Sequence, residues 1–300
     1  ARAVARLISL VEDASPLLRE VAAALAPPTG TAQVLGLTGA PGVGKSTTTT
    51  ALVRALRAAG RRVGVLAVDP SSPFSGGALL GDRVRMQDHA GDPGVYIRSM
   101  ASRGHLGGLA WATPQALRVL DAAGCDVVLV ETVGVGQSEL EIASLADTTL
   151  VLVAPGAGDG IQAAKAGILE VADVLVVNKA DRDGADATVR DLRHAQSLGG
   201  RSGPGAWRPP VVATVAARDQ GVDRVLAEVE AHRRWLAGSG EGARRRAERA
   251  AREVEAIALA GLRGRIAQVR GSAALAALAG EVVAGRTDPY RAADRLLASL

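Results

Sequence analysis

The residues best equipped for chemistry form one stretch, Gly39-Ala40-Pro41-Gly42-Val43-Gly44-Lys45-Ser46-Thr47. They fit G-x-x-x-x-G-K-[ST], the phosphate-binding P-loop. Glycines let the backbone turn its N–H groups toward a phosphate, and a helix N-terminus adds positive dipole. Lys45 would reach the β- and γ-phosphates, and the Ser46 hydroxyl would ligate Mg²⁺. The bland alternative is a glycine-rich turn between a strand and a helix. The flanks favour the motif: Val34 to Thr38 reads as a short buried strand and Ser46 to about Ala59 as a helix.

Asn178-Lys179-Ala180-Asp181 follows the apolar run Val174 to Val177 and matches N-K-x-D, a guanine-reading motif. The Asp181 carboxylate can accept from both guanine N1–H and the 2-amino group. Adenine offers no such donor pair, so the acid would be left unpaired, which penalises ATP. The Lys179 stem can lie along the base or ribose. Thr214-Val215-Ala216, after a later strand, would supply backbone N–H to guanine O6.

Glu131-Thr132-Val133-Gly134 stands where a GTPase places D-x-x-G. The acid would address Mg²⁺ through water, because Glu reaches further than Asp, and the Gly134 N–H would sense the γ-phosphate. Val135 stands where many GTPases use Gln to orient water, so slow intrinsic hydrolysis that a partner accelerates is expected. Asp69 to Gly77 and Gly81-Asp82-Arg83 make a loop able to order around a nucleotide. Asp69 and Asp82 are candidate Mg²⁺ or water-positioning carboxylates, with a strand-end turn cap and a helix N-cap as their plain alternatives. The Gly-rich run Ala154 to Gly160, with Asp159, leads into a segment carrying Gln162 and Lys165, a candidate third mobile element.

Composition bounds these readings. The chain has 300 residues, 48% hydrophobic and 2% aromatic, with net charge +4. Scarce aromatics argue against single-stranded nucleic acid, which stacks on aromatic platforms. No apolar run approaches the ~20 residues of a membrane span and no signal-peptide pattern opens the sequence, so no membrane is expected. Cys125 is the sole cysteine, which makes a reducing cytoplasm the expected setting. Only three of the 35 basic residues are lysine: Lys45, Lys165 and Lys179. Arg replaces Lys on solvated surfaces but not where geometry matters. Two of the three lie in nucleotide motifs, which draws attention to Lys165.

The elements that must position these residues alternate strand and helix from Ala32 onward. Apolar runs at 62–69, 95–98, 126–131, 149–154, 174–178 and 211–214 read as strands buried on both faces. That pattern predicts an α/β fold: a P-loop NTPase with a mainly parallel sheet, helices on both faces, and N- and C-terminal helical extensions. Ligands of such sheets bind beyond the carboxyl ends of the strands, where Asp69, Glu131 and Asn178 fall. The expected division is a helical extension over 1–29, a GTPase domain over 30–237 and a helical arm over 238–300, with 238–242 as a flexible link. The arm carries an apolar stripe (Val254, Ile257, Leu262, Ile266) that needs a partner surface, and the pattern alone allows folding back on the domain and dimerising equally. The run from Arg244 to Arg252 reads as a solvated face.

The chain resembles the MeaB/ArgK GTPases that attend adenosylcobalamin-dependent methylmalonyl-CoA mutase. The resemblance rests on GAPGVGKST at 39–47, AVDPSSPFSGGALLGDRVRM at 67–86 and SMASRGHLGGLA at 99–110. It continues through ETVGVGQSE at 131–139, APGAGDGIQAAKAGILEVAD at 154–173, NKAD at 178–181 and DPYRAA at 288–293. It implies a homodimeric GTPase, joined through the C-terminal arm, that uses GTP to gate cofactor delivery to the mutase and protect it. Asp69, Asp82 and Glu131 match the family's Mg²⁺ and catalytic carboxylates. Asp159 and Lys165 match its third switch loop, with Gly134, Gln137 and Gln162 as further switch or coupling positions. No motif for direct cobalamin binding is identifiable, so Mg²⁺ and GTP or GDP are the implied ligands and a methylmalonyl-CoA or isobutyryl-CoA mutase the implied partner. Two alternatives stand beside this: a kinase acting on an amino-acid transport protein, a label ArgK relatives have carried, and a nickel-insertion GTPase. The latter usually carries Cys/His clusters, whereas this chain has one Cys and four His.

Overall fold

The computed structural model describes residues 2–13, 15–26, 31–69, 89, 91–101, 112–132, 138–156, 168–199, 205–269 and 271–298. Its strands are β1 (Gln33–Thr38), β2 (Val63–Asp69), β3 (Val95–Ala101), β4 (Val127–Thr132), β5 (Thr148–Val153), β6 (Val174–Val177) and β7 (Val211–Ala213). They form a 7-stranded sheet in the order β3-β2-β4-β1-β5-β6-β7, every pair parallel. Parallel neighbours need crossovers, and helices supply them. The helices are α1 (Arg2–Glu12), α2 (Leu18–Leu25), α3 (Lys45–Ala58), α4 (Thr113–Ala122), α5 (Ser138–Leu145), α6 (Ile168–Val171), α7 (Ala185–Gly199), α8 (Val222–Ser239), α9 (Glu241–Val269), α10 (Ala273–Val283) and α11 (Pro289–Ala298).

Alternation along each strand explains the two covered faces. Leu35, Leu37, Val127, Leu129, Leu150 and Leu152 pack with Leu52 and Val53 of α3 and Val225 and Val229 of α8. Val34, Leu66, Val68, Val128 and Val130 point the other way, into a cluster with Ile8 of α1, Leu120 of α4 and Ile142 of α5. Side chains of period two on a sheet buried twice over read as continuous apolar runs, as the sequence shows.

Two expectations need correction. The strand expected over 95–98 runs on to Ala101, in register with β2 from Val63↔Val95 to Asp69↔Ala101. Arg98 looked like its end, but its guanidinium is taken up by Glu12 and Ser9 of α1, so a charge sits inside an edge strand without being stranded. The segment 238–242 is not a flexible link. Helix α8 continues to Ser239, Gly240 alone breaks it at φ 76°, and α9 begins at Glu241. A left-handed glycine is a usual helix C-terminal stop.

The chain divides into two compact units, Ala1–Ala243 and Arg244–Leu300. Within the second, Ser272 caps α10 by accepting from the Leu275 amide, and Asp288 caps α11 by accepting from the Tyr290 and Arg291 amides. Leu278 and Ala292 are buried, and Arg295 reaches Glu281 at 2.6 Å.

One polar cluster at the amino-terminal edge of the sheet escaped the sequence reading. His232 of α8 is fully buried, with Nδ1 2.9 Å from Thr148 Oγ1 and Nε2 3.4 Å from Asp173 Oδ1. Asp173 in turn accepts from the Thr149 amide at 2.9 Å, and its carbonyl accepts from Trp207 Nε1 at 2.8 Å. The imidazole lies between Trp207 and Trp235, ring centroids 4.8 and 5.5 Å away. Removing such a ring leaves a cavity and unpaired polar partners together. His232→Ala should therefore lower unfolding stability by about 3 kcal/mol. Urea unfolding followed by tryptophan fluorescence reads this, and a loss under about 1 kcal/mol would remove the cluster from the list of structural anchors.

Candidate nucleotide site

The site is built at the carboxyl edge of β1, β4 and β6. In register, Leu37 lies beside Glu131 and Ala67 beside Glu131 on the other side, so the acid sits in the middle of the sheet at the foot of the P-loop. β1 ends at Thr38, and Gly39 turns the chain at φ 143°, where a Cβ would overlap the Leu152 carbonyl oxygen of β5. Gly44 precedes α3 in the left-handed region at φ 97°, and a Cβ there would collide with the Asn178 amide. Both glycines are thus demanded by contact as well as by conformation.

Three side chains stitch this loop. Lys45, buried at 7% exposure, folds back so that Nζ donates to the Gly39 carbonyl at 2.7 Å and the Ala40 carbonyl at 3.1 Å. This sets an ammonium group inside the loop, where a phosphate oxygen is a stronger acceptor than a carbonyl. Ser46 Oγ donates to Glu131 Oε1 at 2.6 Å. Asn178 reaches in from the end of β6: Nδ2 donates to the Val43 carbonyl at 2.9 Å, and Oδ1 accepts from Thr214 Oγ1 at 3.2 Å and the Ala216 amide at 3.1 Å.

Asn178 is thus held at both ends of its carboxamide. It ties the phosphate loop to the turn after β7, while Asp181 is left outward with a side chain 38% exposed. Lys179, left-handed at φ 57°, donates from Nζ to the Gly42 carbonyl at 2.6 Å, so its stem crosses from the N-K-A-D turn to the P-loop. The amides of Thr214, Val215 and Ala216 donate to Val177, Gln220 and the Asn178 side chain. All three amides thus have acceptors within the protein. The Asn178 carboxamide competes for the Ala216 amide in a way a motif scan does not register.

Other expected residues divide as follows. The backbone of Asp69 closes β2 at the same sheet edge. The side chain of Asp69, and the whole of Asp82, Gly134, Gln137, Asp159, Gln162 and Lys165, lie outside the described residues. The sequence reading missed two participants. Arg218, in the 3-10 turn Ala216–Arg218, brings Nη2 to 3.6 Å from Asp181 Oδ2. Thr49 of α3 donates from Oγ1 to Glu131 Oε2 at 2.8 Å. A signal for Thr49 was available in the run Thr47 to Thr50, four β-branched residues in the first turns of a helix that does not favour them.

For Mg²⁺ the described donors fit: a serine hydroxyl and a carboxylate 2.6 Å apart, 9% and 4% exposed, are the hard oxygen pair such an ion takes. The arrangement as a whole, a P-loop on the central strand of a parallel sheet with a strand-end acid and N-K-A-D alongside, defines a P-loop GTPase.

Comparison with known proteins agrees. Residues 4–270 match the family described as methylmalonyl Co-A mutase-associated GTPase MeaB, and the chain belongs to that family. A Pyrococcus abyssi protein named as an inferred GTPase is 47% identical over 297 residues, covering 99% of this chain and 92% of that one. The mouse mitochondrial protein named methylmalonic aciduria type A homolog is 39% identical over 215 residues, 71% of this chain and 52% of the other. Among solved structures, a LAO/AO transport system kinase superposes with TM-score 0.68 at 28% identity, covering 98% of this chain and 91% of that one. The chain is a nucleotide-binding enzyme that hydrolyses GTP.

The Asn178 staple makes a directional prediction. Asn178→Asp places an acceptor against the Val43 carbonyl, so it should weaken GTP and GDP alike by about a hundred-fold, and Asn178→Ala by about ten-fold. Calorimetric titration of both nucleotides checks it; an effect on GTP alone would mean the residue answers the γ-phosphate instead.

Proposed function

We propose that this GTPase is a G-protein chaperone of an adenosylcobalamin-dependent acyl-CoA mutase of the methylmalonyl-CoA type, gating cofactor loading and protecting the loaded enzyme. The observation that carries this is the family match over residues 4–270, whose description names the mutase. The sequence motifs at 67–86, 131–139 and 154–173, which resemble the switch segments of that family, support it. Asp69, Asp82 and Glu131 serve as the carboxylates around Mg²⁺, with Ser46 as its hydroxyl ligand. When bound, the ion would offset charge on the β- and γ-phosphates. Asp181 reads guanine, and Lys165 with Asp159 couples the nucleotide state to the mutase.

The apolar face of α9 supports a homodimer joined by the helical arm. Val254 is 67% exposed and Ile257 51%, with Leu262 and Ile266 also exposed along the same helix. An exposed row of large aliphatic side chains marks an interaction surface. No helix among the described residues is long and apolar enough to cross a membrane.

Purified protein titrated with GTP and ATP, then assayed for phosphate release with and without the mutase, tests the reading. GTP should bind at least about a hundred-fold more tightly than ATP, since guanine offers Asp181 a pair of donors that adenine lacks. The mutase should raise turnover, and Lys165→Ala should keep GTP affinity while blunting that rise. Equal loss of basal and stimulated rates in Lys165→Ala would sink the coupling role. Phosphate appearing on an amino-acid transport protein rather than in water would favour the kinase named in the structural neighbour's description instead.

A further inference from the structure

The Glu131 carboxylate is held at both oxygens from one helix. Oε1 accepts from Ser46 Oγ at 2.6 Å, and Oε2 accepts from Thr49 Oγ1 at 2.8 Å. Positions three apart share a helix face, so α3 offers two hydroxyls to one carboxylate across the first turn. Thr49 is fully buried and Glu131 is 4% exposed. Thr49 Oγ1 also lies 3.1 Å from the Lys45 carbonyl, the acceptor a helical threonine ordinarily takes. A hydroxyl has one proton, and an ionised carboxylate is the stronger acceptor, so the shorter contact to Glu131 takes it.

Glutamate at this strand end makes the second contact matter. Its side chain has one more rotatable bond than aspartate, and with it more freedom to swing than the shorter acid would have. Anchoring Oε2 removes that freedom and fixes Oε1 against the Ser46 proton. With its proton committed to Glu131, the Ser46 oxygen has both lone pairs available for a cation.

We propose that Thr49 is a positioning residue for the Mg²⁺ site: its hydroxyl sets the Glu131 carboxylate so that Ser46 presents its lone pairs to the ion. This rests on the reading of Ser46 and Glu131 as residues addressing Mg²⁺. Thr49 does not touch nucleotide or metal in this role, and a plain packing role would require only its shape.

Thr49→Val keeps the shape and removes the hydroxyl; Thr49→Ser keeps the hydroxyl. The readout is the Mg²⁺ concentration that half-maximally slows release of a fluorescent GDP analogue, with release in EDTA as the baseline. In T49V that concentration should rise about ten-fold, the worth of one hydrogen bond to a charged group, while EDTA release stays within about two-fold of the parent. T49S should restore the parent value. Should T49V be too unstable to purify, Thr49→Ala, with room for a water, is read the same way. An unchanged Mg²⁺ dependence, an equal loss in EDTA and in Mg²⁺, or a T49S protein that behaves as T49V would each overturn the proposal. Ser46→Ala separates the two layers. If it shifts the Mg²⁺ dependence and T49V does not, Thr49 alone loses its role. If neither shifts it, the Mg²⁺ reading of the pair fails.

Discussion

A carboxylate buried at the centre of a sheet must be compensated, and the nucleotide site of this protein is organised by how that is done. Glu131 lies on β4 between β1 and β2, in almost complete burial. An uncompensated charge there would cost several kcal/mol and would shift toward its neutral form. The partners come from α3, whose first turns bring Ser46 and Thr49 to the two oxygens. The acid therefore fixes where α3 begins, and with it where the P-loop amides point. The strand order serves the same end, since β1 can deliver its loop over Glu131 only with β4 as its neighbour.

The guanine side is held by a different device. Asn178 uses both ends of its carboxamide inside the protein, with donor to the Val43 carbonyl and acceptor to Thr214 and Ala216. Within N-K-A-D, Asn178 is thus a brace, while the half-exposed Asp181 carboxylate lies 3.6 Å from Arg218 Nη2. The only asparagine in the chain is kept because Asp would offer no donor to the Val43 carbonyl and Gln would overreach. Lys179 adds a second crossing from the same turn to the Gly42 carbonyl.

What the sequence disclosed follows from range. The parallel sheet was legible because strands buried on both faces are continuous apolar runs, and the P-loop and N-K-A-D because their chemistry is local. The hidden features depend on residues far apart. His232 meets Thr148 and Asp173 across a separation no pattern encodes, and three glycines among small residues around 240 look like a linker although two of them lie in helices. Arg98 looked like the end of a strand because Glu12 and Ser9 lie nearly ninety positions earlier. Thr49 was hidden for another reason. Its motif ends at Ser46, and nothing about the fifth residue of the helix announces which strand it faces.

The base and phosphate halves of the site must also keep a fixed spacing, and α3 sets it. Arg54 reaches Asp219, just beyond the turn that follows β7, at 2.5 Å, but both side chains are about half exposed. A pair so placed contributes about 0–1 kcal/mol and cannot hold the halves in register. Burial does it instead. Ala216, 2% exposed, belongs to the same apolar cluster as Leu52, Val53 and Leu56 of α3 and Val222 and Val225 of α8. The turn carrying the Asn178 contacts is thus packed onto the helix whose first residues clasp Glu131. A shift of α3 along its axis would loosen the P-loop and the turn after β7 together, so the helix, more than either motif, keeps the two in register.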